Sequence, residues 1–285
     1  SVWGGEENSP PDYGNVYVSI EPYNSGTLTT AQKQEITTSI IGPKKMISVN
    51  YNIVDPQYIY MIIDSTVYYD PNKSLFDSNS LKVIVKNAIA TYSNNELAKF
   101  DGVFRYSKLS SLIDGADPSI TSNITKFTLH QYIVPIYGQS TQYIVDFHNP
   151  LYKNDFETPE KSIFSSGFRV TNDTHIFYLE DDGKEYMRMY YLDNTTKIYV
   201  DNRVGTVNYI TGQVSVMLNV STIIPVSTGD TGIQLSVKTQ SFDVIPVRNV
   251  ILRTREEDII TNCVVDTIAS GASTSGNTHT FTSSR

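Results

Sequence analysis

The spacing of apolar positions changes several times along the chain, and each change marks an element. Val16, Val18 and Ile20 alternate with polar neighbours, the period of a half-buried strand. Thr29-Thr30-Ala31-Gln32 has capping-box spacing, with Thr29 as the cap and Gln32 reaching back. The helix it opens carries Ile36, Ile40 and Ile41 on one face and stops at Gly42-Pro43. Alternation returns from Met46 to Ile53, Asp55-Pro56 marks a turn, and Tyr58 to Ile63 reads as a strand buried on both faces. The strongest helical stripe is Leu81, Ile84, Val85, Ala88, Ile89 and Tyr92, which fall on one continuous face. A shorter helix holds Leu109, Leu112 and Ile113 and ends at Gly115. A long strand from about Ile120 to Val134 follows. Its apolar phase shifts between Ile124 and Phe127, the mark of a bulge or an exchange of buried face.

This order predicts an α+β fold. After an extended arm (1–13), residues 14–135 form a split β-α-β, ferredoxin-like domain, one antiparallel sheet with helices on one side. Past Pro135 the strands shorten. Asp182-Gly183 lies between Ile176–Leu179 and Tyr186–Leu192, a hairpin signal, and Asp193-Asn194 separates that strand from Ile198–Val200. Val204–Tyr209 and Val214–Leu218 flank Thr211-Gly212, and Ile233–Thr239 and Val244–Ile245 add strands. Residues 136–245 therefore read as a small all-β sandwich or barrel. Residues 246–285 form a C-terminal segment: Val250–Leu252, a charged patch at Arg253–Asp258, a last strand over Ile259–Ile268, and a flexible tail over 269–285. No internal repeat is visible.

Composition narrows the function. The 285 residues are 39% apolar and 18% charged, which fits neither a charged disordered chain nor a membrane protein, and no apolar run is long enough for a spanning helix. Against 30 acids stand 22 bases, a net charge of −8, so nucleic acid and anionic membranes are not expected partners. The lone Cys263 rules out an intrachain disulfide framework and a multi-cysteine zinc site. Asn-x-Ser/Thr triplets at Asn72, Asn123, Asn172, Asn194 and Asn219 are accounted for by chance in a chain this rich in Asn, Ser and Thr. The start at Ser1-Val2-Trp3 suggests a processed chain or an excised fragment.

Catalytic signatures are missing: no nucleophile elbow, zinc-protease helix, phosphate loop or dinucleotide fingerprint. His130, His148, His175 and His279 fall in separate segments, and His148 lies near Asp146. Cys263 sits in an apolar setting and reads as core. Glu180-Asp181-Asp182-Gly183 resembles the start of a calcium loop but lacks the later ligands, so a turn explains it. Glu256-Glu257, interleaved with Arg253 and Arg255, reads as a solvated face. No catalytic, cofactor-binding or metal-ligating set is assigned, and no enzymatic activity is expected. The positive signal is aromatic. Tyr68-Tyr69, Tyr186, Tyr190-Tyr191 and Tyr199 lie on predicted strands, where neighbours face opposite ways. Core packing accounts for most of them, and an outward remainder suits an oligomer interface or a carbohydrate-binding face.

The segments Gly14–Pro22, the helix around Ile36, the Tyr58–Asp64 strand, the helix Val83–Tyr92 and Phe104–Ile113 together resemble the carboxy-terminal part of baseplate wedge proteins of contractile-tailed, T-even-type phages, the gene product 6 class. The baseplate J-like proteins share this organisation. Trp3–Glu6, Tyr13-Gly14 and Val204–Gly212 extend the likeness over nearly the whole chain. The resemblance implies a structural virion protein of the tail baseplate, found in the host cytoplasm during assembly. It implies dimers that join neighbouring wedges into a ring around the central hub, with other wedge and hub-proximal proteins as partners. That ring is thought to hold the baseplate together while it changes shape before sheath contraction. The family offers no catalytic residues. A ring needs two distinct interfaces or alternating isologous ones; the amino-terminal arm, the outer helix faces and the last segment are expected to supply them, through Trp3, Tyr13, Tyr92, Arg105, Arg253 and Arg255. Two alternatives stay open: a carbohydrate-binding module with exposed tyrosines as stacking platforms, and a hydrolase gathering His148 or His175 with carboxylates.

Overall fold

The computed structural model describes residues 1–8, 10–23, 27–44, 48–154 and 161–269. In chain order the elements are β1 (Val2–Gly4), β2 (Asn15–Ser19), α1 (Thr30–Glu35), β3 (Asn50–Val54), β4 (Gln57–Tyr69), α2 (Ser78–Tyr92), β5 (Phe104–Arg105), α3 (Tyr106–Asp114), β6 (Ile120–Ile133) and β7 (Ser140–Asp146). They continue with β8 (Ile163–Ser165), β9 (Phe168–Val170), β10 (Phe177–Asp181), β11 (Tyr186–Asp193), β12 (Thr196–Asn208), β13 (Gln213–Ile223), β14 (Ile233–Val237), β15 (Asp243–Val244), β16 (Val250–Arg253) and β17 (Ile259–Val265). Among the described residues there are thus seventeen strands and three α-helices, a mostly β chain. The chain divides into two compact units. One comprises Ser1–Tyr60, Asn95–Phe104 and Leu129–Arg253, the other Met61–Asn94, Arg105–Thr128 and Thr254–Arg285.

The first unit begins with a small sheet in the order β1-β2-β3, in which β2 runs antiparallel to β1 and parallel to β3. The register sets Trp3 against Tyr17, and their rings stack at 5.6 Å. Asp12 ties the turn before β2: its carboxylate accepts from Asn15 Nδ2 at 2.8 Å and from the Tyr17 hydroxyl at 2.5 Å. The capping box at α1 is formed on both sides, with the Gln32 N–H donating to Thr29 Oγ1 and the Thr29 N–H donating to Gln32 Oε1. Beyond Glu35 the helix widens into a π-type turn over Ile36–Ile41. The β-branched run favours this loosening, because the Thr37 and Thr38 hydroxyls take up the carbonyls of Lys33 and Gln34. Its isoleucine face is not a core face, since Ile40 is 59% exposed. Met46 and Ile47, the expected start of the next strand, lie outside the described residues, as do 270–285 of the expected tail.

The larger part of this unit is a closed barrel. β9, β10, β11, β12 and β13 pair in turn, all antiparallel, and β13 returns to β9. Closure removes sheet edges that would otherwise need cover. Phe168, Phe177, Leu179, Met187, Val207, Val214, Val216 and Val220 are all buried. The tight turns follow from particular residues. Asp182 Oδ1 accepts the N–H groups of Lys184, Glu185 and Tyr186, while Gly183 takes a positive φ of 75°. At the β12–β13 turn Gly212 has a φ of 83°, and a Cβ there would stand 2.3 Å from the Asn149 carbonyl oxygen. From β10 the pairing runs on through β8 and β14 to the last residues of β6, while β7 lies along β13.

In the second unit the later part of β4 is central, next to β6 and to β17, which runs parallel to it from Ile259 opposite Ile63 to Val265 opposite Tyr69. β4 alternates: Ile63, Ser65, Val67 and Tyr69 are buried, and Ile62, Asp64, Thr66 and Tyr68 are less so. The expected burial on both faces is therefore replaced by burial on one. Asp77 caps α2 by accepting the Ser80 N–H at 3.0 Å, and the helix buries Leu81, Val85, Ile89 and Tyr92. α3 buries Leu109 and Ile113, and its Tyr106 hydroxyl donates to the Thr125 carbonyl at 3.0 Å. The Ser78 hydroxyl donates to the Cys263 carbonyl at 3.1 Å, which ties the start of α2 to β17.

The expected α+β fold with a split β-α-β, ferredoxin-like domain is not what forms. That fold requires β2, β3, β4 and β6 in one sheet under two helices. Here β2 and β3 close with β1 in a sheet of their own, and β4 takes β16 and β17 as parallel neighbours instead. Hydrophobic periodicity reports which face of a strand is buried, but says nothing of which distant strand lies beside it.

Ile89→Ala is expected to lower stability by about 2–5 kcal/mol in urea unfolding followed by circular dichroism, through the cavity it leaves. Ile40→Ala, on an exposed turn, should stay within about 0.5 kcal/mol of the parent.

Candidate assembly surfaces and the aromatic face of the barrel

The register of the barrel strands brings together a polar cluster from three different strands. Tyr178 is paired with Tyr190 and Tyr190 with Tyr199, and two residues along Glu180 is paired with Arg188. Tyr178 stacks on Tyr190 at 5.6 Å, and Tyr190 meets Tyr199 at 5.8 Å. Glu180 is only 1% exposed. It accepts from Arg188 at 3.0 Å and from the Tyr199 hydroxyl at 2.7 Å, and it is ion-paired to Lys197. The same cations lie over the rings: Arg188 over Tyr199 at 4.5 Å, Lys197 over Tyr190 at 4.6 Å, and Arg203 over Tyr186 at 4.7 Å. Burial, then Glu180 and Tyr178, push the Tyr190 phenol up to about 12.

The neighbouring Asp181 does a different job on the opposite face of β10. Fully buried, it accepts the N–H groups of Ser162 and Ile163 at 3.0 and 2.9 Å and the Tyr209 hydroxyl at 2.7 Å. Burial first, and then the Asp181 charge, push the Tyr209 phenol far above its ordinary range. Glu180-Asp181-Asp182 therefore divides three ways: an external ion cluster, an internal clamp, and a turn. The sequence signal was there as a run of acids ending in Gly, and the turn at Asp182-Gly183 is where it was expected. The roles of Glu180 and Asp181 depend on cross-strand partners, and no local pattern discloses them.

A carbohydrate-binding face needs bare aromatic faces to stack on sugars. Of the tyrosines singled out in the sequence, Tyr69 is buried, Tyr68 and Tyr191 are half-buried, and Tyr186, Tyr190 and Tyr199 already carry cations on their rings. The arrangement does not favour that alternative.

His148 stands 3.4 Å from Asp146 and 3.3 Å from Gln57 Oε1, and its backbone holds a positive φ of 53°. Burial lowers its pKa, outweighing Asp146, and Arg248 lowers it further. His175 is hydrogen-bonded to Asp173 at 2.6 Å and lies against Tyr191 at 4.3 Å. Each has its carboxylate two residues away on the same loop, the local pairing that turn geometry alone produces. His130 is buried against Tyr60 and Tyr132, and His279 lies outside the described residues.

The six residues expected at interfaces are distributed as follows. Trp3 is buried against Tyr17, and its indole N–H donates to Asn8. Tyr13 is 78% exposed. Tyr92 is buried, and its hydroxyl accepts the N–H of the exposed Arg105 at 3.5 Å, which brings those two together. Arg253 is ion-paired to Glu21 and lies over the Tyr58 ring at 4.5 Å. Arg255 pairs with Glu257 and Asp258 at 2.9 and 2.7 Å.

The chain is mostly β, with one nearly buried carboxylate, Glu180, paired to Arg188 and Lys197 in the barrel wall. Comparison with known proteins gives two partial matches. Residues 1–54 match the family model for baseplate structural protein gp6, C-terminal domain I, and residues 57–132 match that for C-terminal domain III. Over those two stretches the chain resembles the carboxy-terminal part of a gp6-type phage baseplate structural protein. It is 23% identical over 185 residues to baseplate wedge protein gp6 of Enterobacteria phage T4, which covers 65% of this chain and 27% of that protein. The chain thus spans about a quarter of the length of that relative.

Two outcomes follow from the barrel cluster. Glu180→Ala is expected to cost about 3 kcal/mol in urea unfolding, the low end for a buried pair, because Arg188 and Lys197 keep some solvent. Tyr190 adds a pH dependence. Below pH 10 its proton is held in both folded and unfolded chains. As pH rises from 10 toward 12, the unfolded chain gives it up first, so stability falls. Urea midpoints at pH 9 and pH 11 should differ less in Tyr190→Phe than in the parent.

Proposed function

We propose that this chain is a structural subunit of a phage tail baseplate wedge, dimerising to link neighbouring wedges into a ring around the central hub. The observation that carries this reading is the match of residues 1–54 and 57–132 to two C-terminal domains of one baseplate protein. The protein works in the virion, at the baseplate, after assembly in the host cytoplasm. Its partners are a second copy of itself and other wedge and hub-proximal proteins. The ring holds the baseplate together while it changes shape before sheath contraction. Nothing in this role calls for catalysis.

Among the six interface residues, Tyr13 and Arg105 make the outer contacts, since both present exposed side chains. Trp3, Tyr92, Arg253 and Arg255 are each held by neighbours within their own unit and play a supporting part. An exposed aromatic and an arginine are the residue types that dominate interface energetics.

Light scattering coupled to size exclusion over a concentration series should give a discrete species near twice 31.9 kDa. Tyr13→Ala and Arg105→Glu should each weaken self-association about tenfold or more. A monomer at every concentration would sink the dimer.

A further inference from the structure

Around the β10–β11 turn the barrel gathers four cations from four separate stretches of chain. The turn itself carries Lys184, and it is fixed because Asp182 accepts three successive N–H groups. Gly183 packs on the Asn154 carbonyl, where a Cβ would stand only 2.8 Å from the oxygen, so Lys153 is held alongside. Lys161 precedes Ser162 and Ile163, whose N–H groups donate to Asp181. Arg203 comes from β12 and lies over the Tyr186 ring at 4.7 Å. Two adjoining clefts result, of about 760 and 570 Å³. Lys153 and Glu185 line the first, Lys161, Asp182 and Arg203 the second, and Lys184 and Tyr186 line both.

The charge in these clefts is unbalanced. The chain has 30 acids and 22 bases, and its other barrel cations find acids: Arg188 and Lys197 share Glu180. Lys153, Lys161, Lys184 and Arg203 have no ion pair among the described residues. The contacts of Lys153 and Arg203 are instead with rings, Tyr209 at 5.6 Å and Tyr186. Lys153, Lys184 and Arg203 are exposed and Lys161 is half-buried. Of the two carboxylates present, Asp182 is engaged by its turn, which leaves Glu185 alone against four cations. Like charges held together repel, and an anion from outside relieves that repulsion.

The form of the surface selects the anion. A single small ion would leave most of either cleft empty. A nucleic acid would be repelled by the remainder of a chain of net charge −8. A short peptide segment with several carboxylates reaches both clefts and can lay a side chain against Tyr186, which the two share. We propose that these clefts dock a short acidic segment of another protein, with Lys153, Lys161, Lys184 and Arg203 meeting its carboxylates. That the other protein is a neighbour in the baseplate rests on the role proposed above. The site includes neither Tyr13 nor Arg105 and does not depend on the dimer.

The test uses the whole chain and fluorescein-labelled hexaglutamate, read by fluorescence anisotropy at low ionic strength. Wild type should bind this peptide and not labelled hexaglutamine; no binding of hexaglutamate overturns the site. Lys153→Glu/Lys184→Glu should weaken binding about tenfold or more, with near-ultraviolet circular dichroism unchanged. Lys108→Glu/Lys126→Glu makes the same change of net charge at exposed positions elsewhere, and should stay within about twofold. Carbodiimide joins a peptide carboxylate to a lysine amine as an amide and takes up the water released. Peptide mapping should find that link at Lys153, Lys161 and Lys184, and not at Lys108 or Lys126. Equal losses in the two charge-reversed pairs, or links spread over all lysines, overturn the site. So does oligothymidylate binding as tightly as hexaglutamate. Binding about tenfold tighter in Asp155→Asn/Glu157→Gln/Glu160→Gln would give the clefts to the chain's own acids and overturn it too. Arg105→Glu should bind as wild type does. A chain that is monomeric yet takes the peptide at these lysines overturns the dimer and leaves this site standing.

Discussion

A buried strand must find hydrogen-bond partners along both edges, and β4 meets that demand from far away. Its thirteen residues carry the most regular alternation in the chain, with Ile59, Met61, Ile63, Ser65, Val67 and Tyr69 all buried. Leaving an edge of such a strand unpaired inside the protein would strand several backbone N–H and C=O groups without water. β16 lies along Gln57–Tyr60 and β17 along Ile63–Tyr69, both parallel. Parallel neighbours require long connections, and here the connection contains the whole barrel. The C-terminal segment, which looks in isolation like a charged tail with a strand or two, supplies the strands that lie along one edge of β4.

The barrel solves a second problem, that of acids in its wall. Glu180 and Asp181 are successive residues on β10, so their side chains face opposite ways, and both are nearly inaccessible. On the outside, the Glu180 charge is met by two cations and a phenol. On the inside, Asp181 is met by two backbone N–H groups and the Tyr209 hydroxyl. Removing either set of partners would leave a charge in a poorly solvated place, which fixes the positions of Tyr199 and Tyr209 and with them the strands that carry them. Such clusters contribute more to a single well-defined arrangement of strands than to net stability.

Local elements were legible because local physics makes them. The Thr29 capping box, the Leu81–Tyr92 stripe and the Asp182-Gly183 turn each involve residues within a few positions of one another, and each is where periodicity and side-chain chemistry put it. Topology was not legible. The apolar residues of β2 and β4 have the same period, yet they belong to different sheets. The family likeness came from the order and phrasing of these local segments, which is why it held while the ferredoxin-like arrangement did not. The polar cluster at Glu180 was hidden for the same reason as the sheet order. It joins β10, β11 and β12 across the ladder, and only the register reveals which tyrosine meets which cation.

The parallel pairing of β17 with β4 also bears on how the chain folds. Ser78 and Cys263 are 185 positions apart, yet one hydrogen-bonds the other. Contacts of such separation form late, after the entropy of closing a long loop has been overcome. During synthesis α2 and β4 emerge well before β17 exists, so one edge of the sheet stays open until nearly all the described chain has been made. Until β17 has been made, Ile63–Tyr69 of β4 lacks the parallel neighbour that covers this edge, and the tie from Ser78 to Cys263 cannot form.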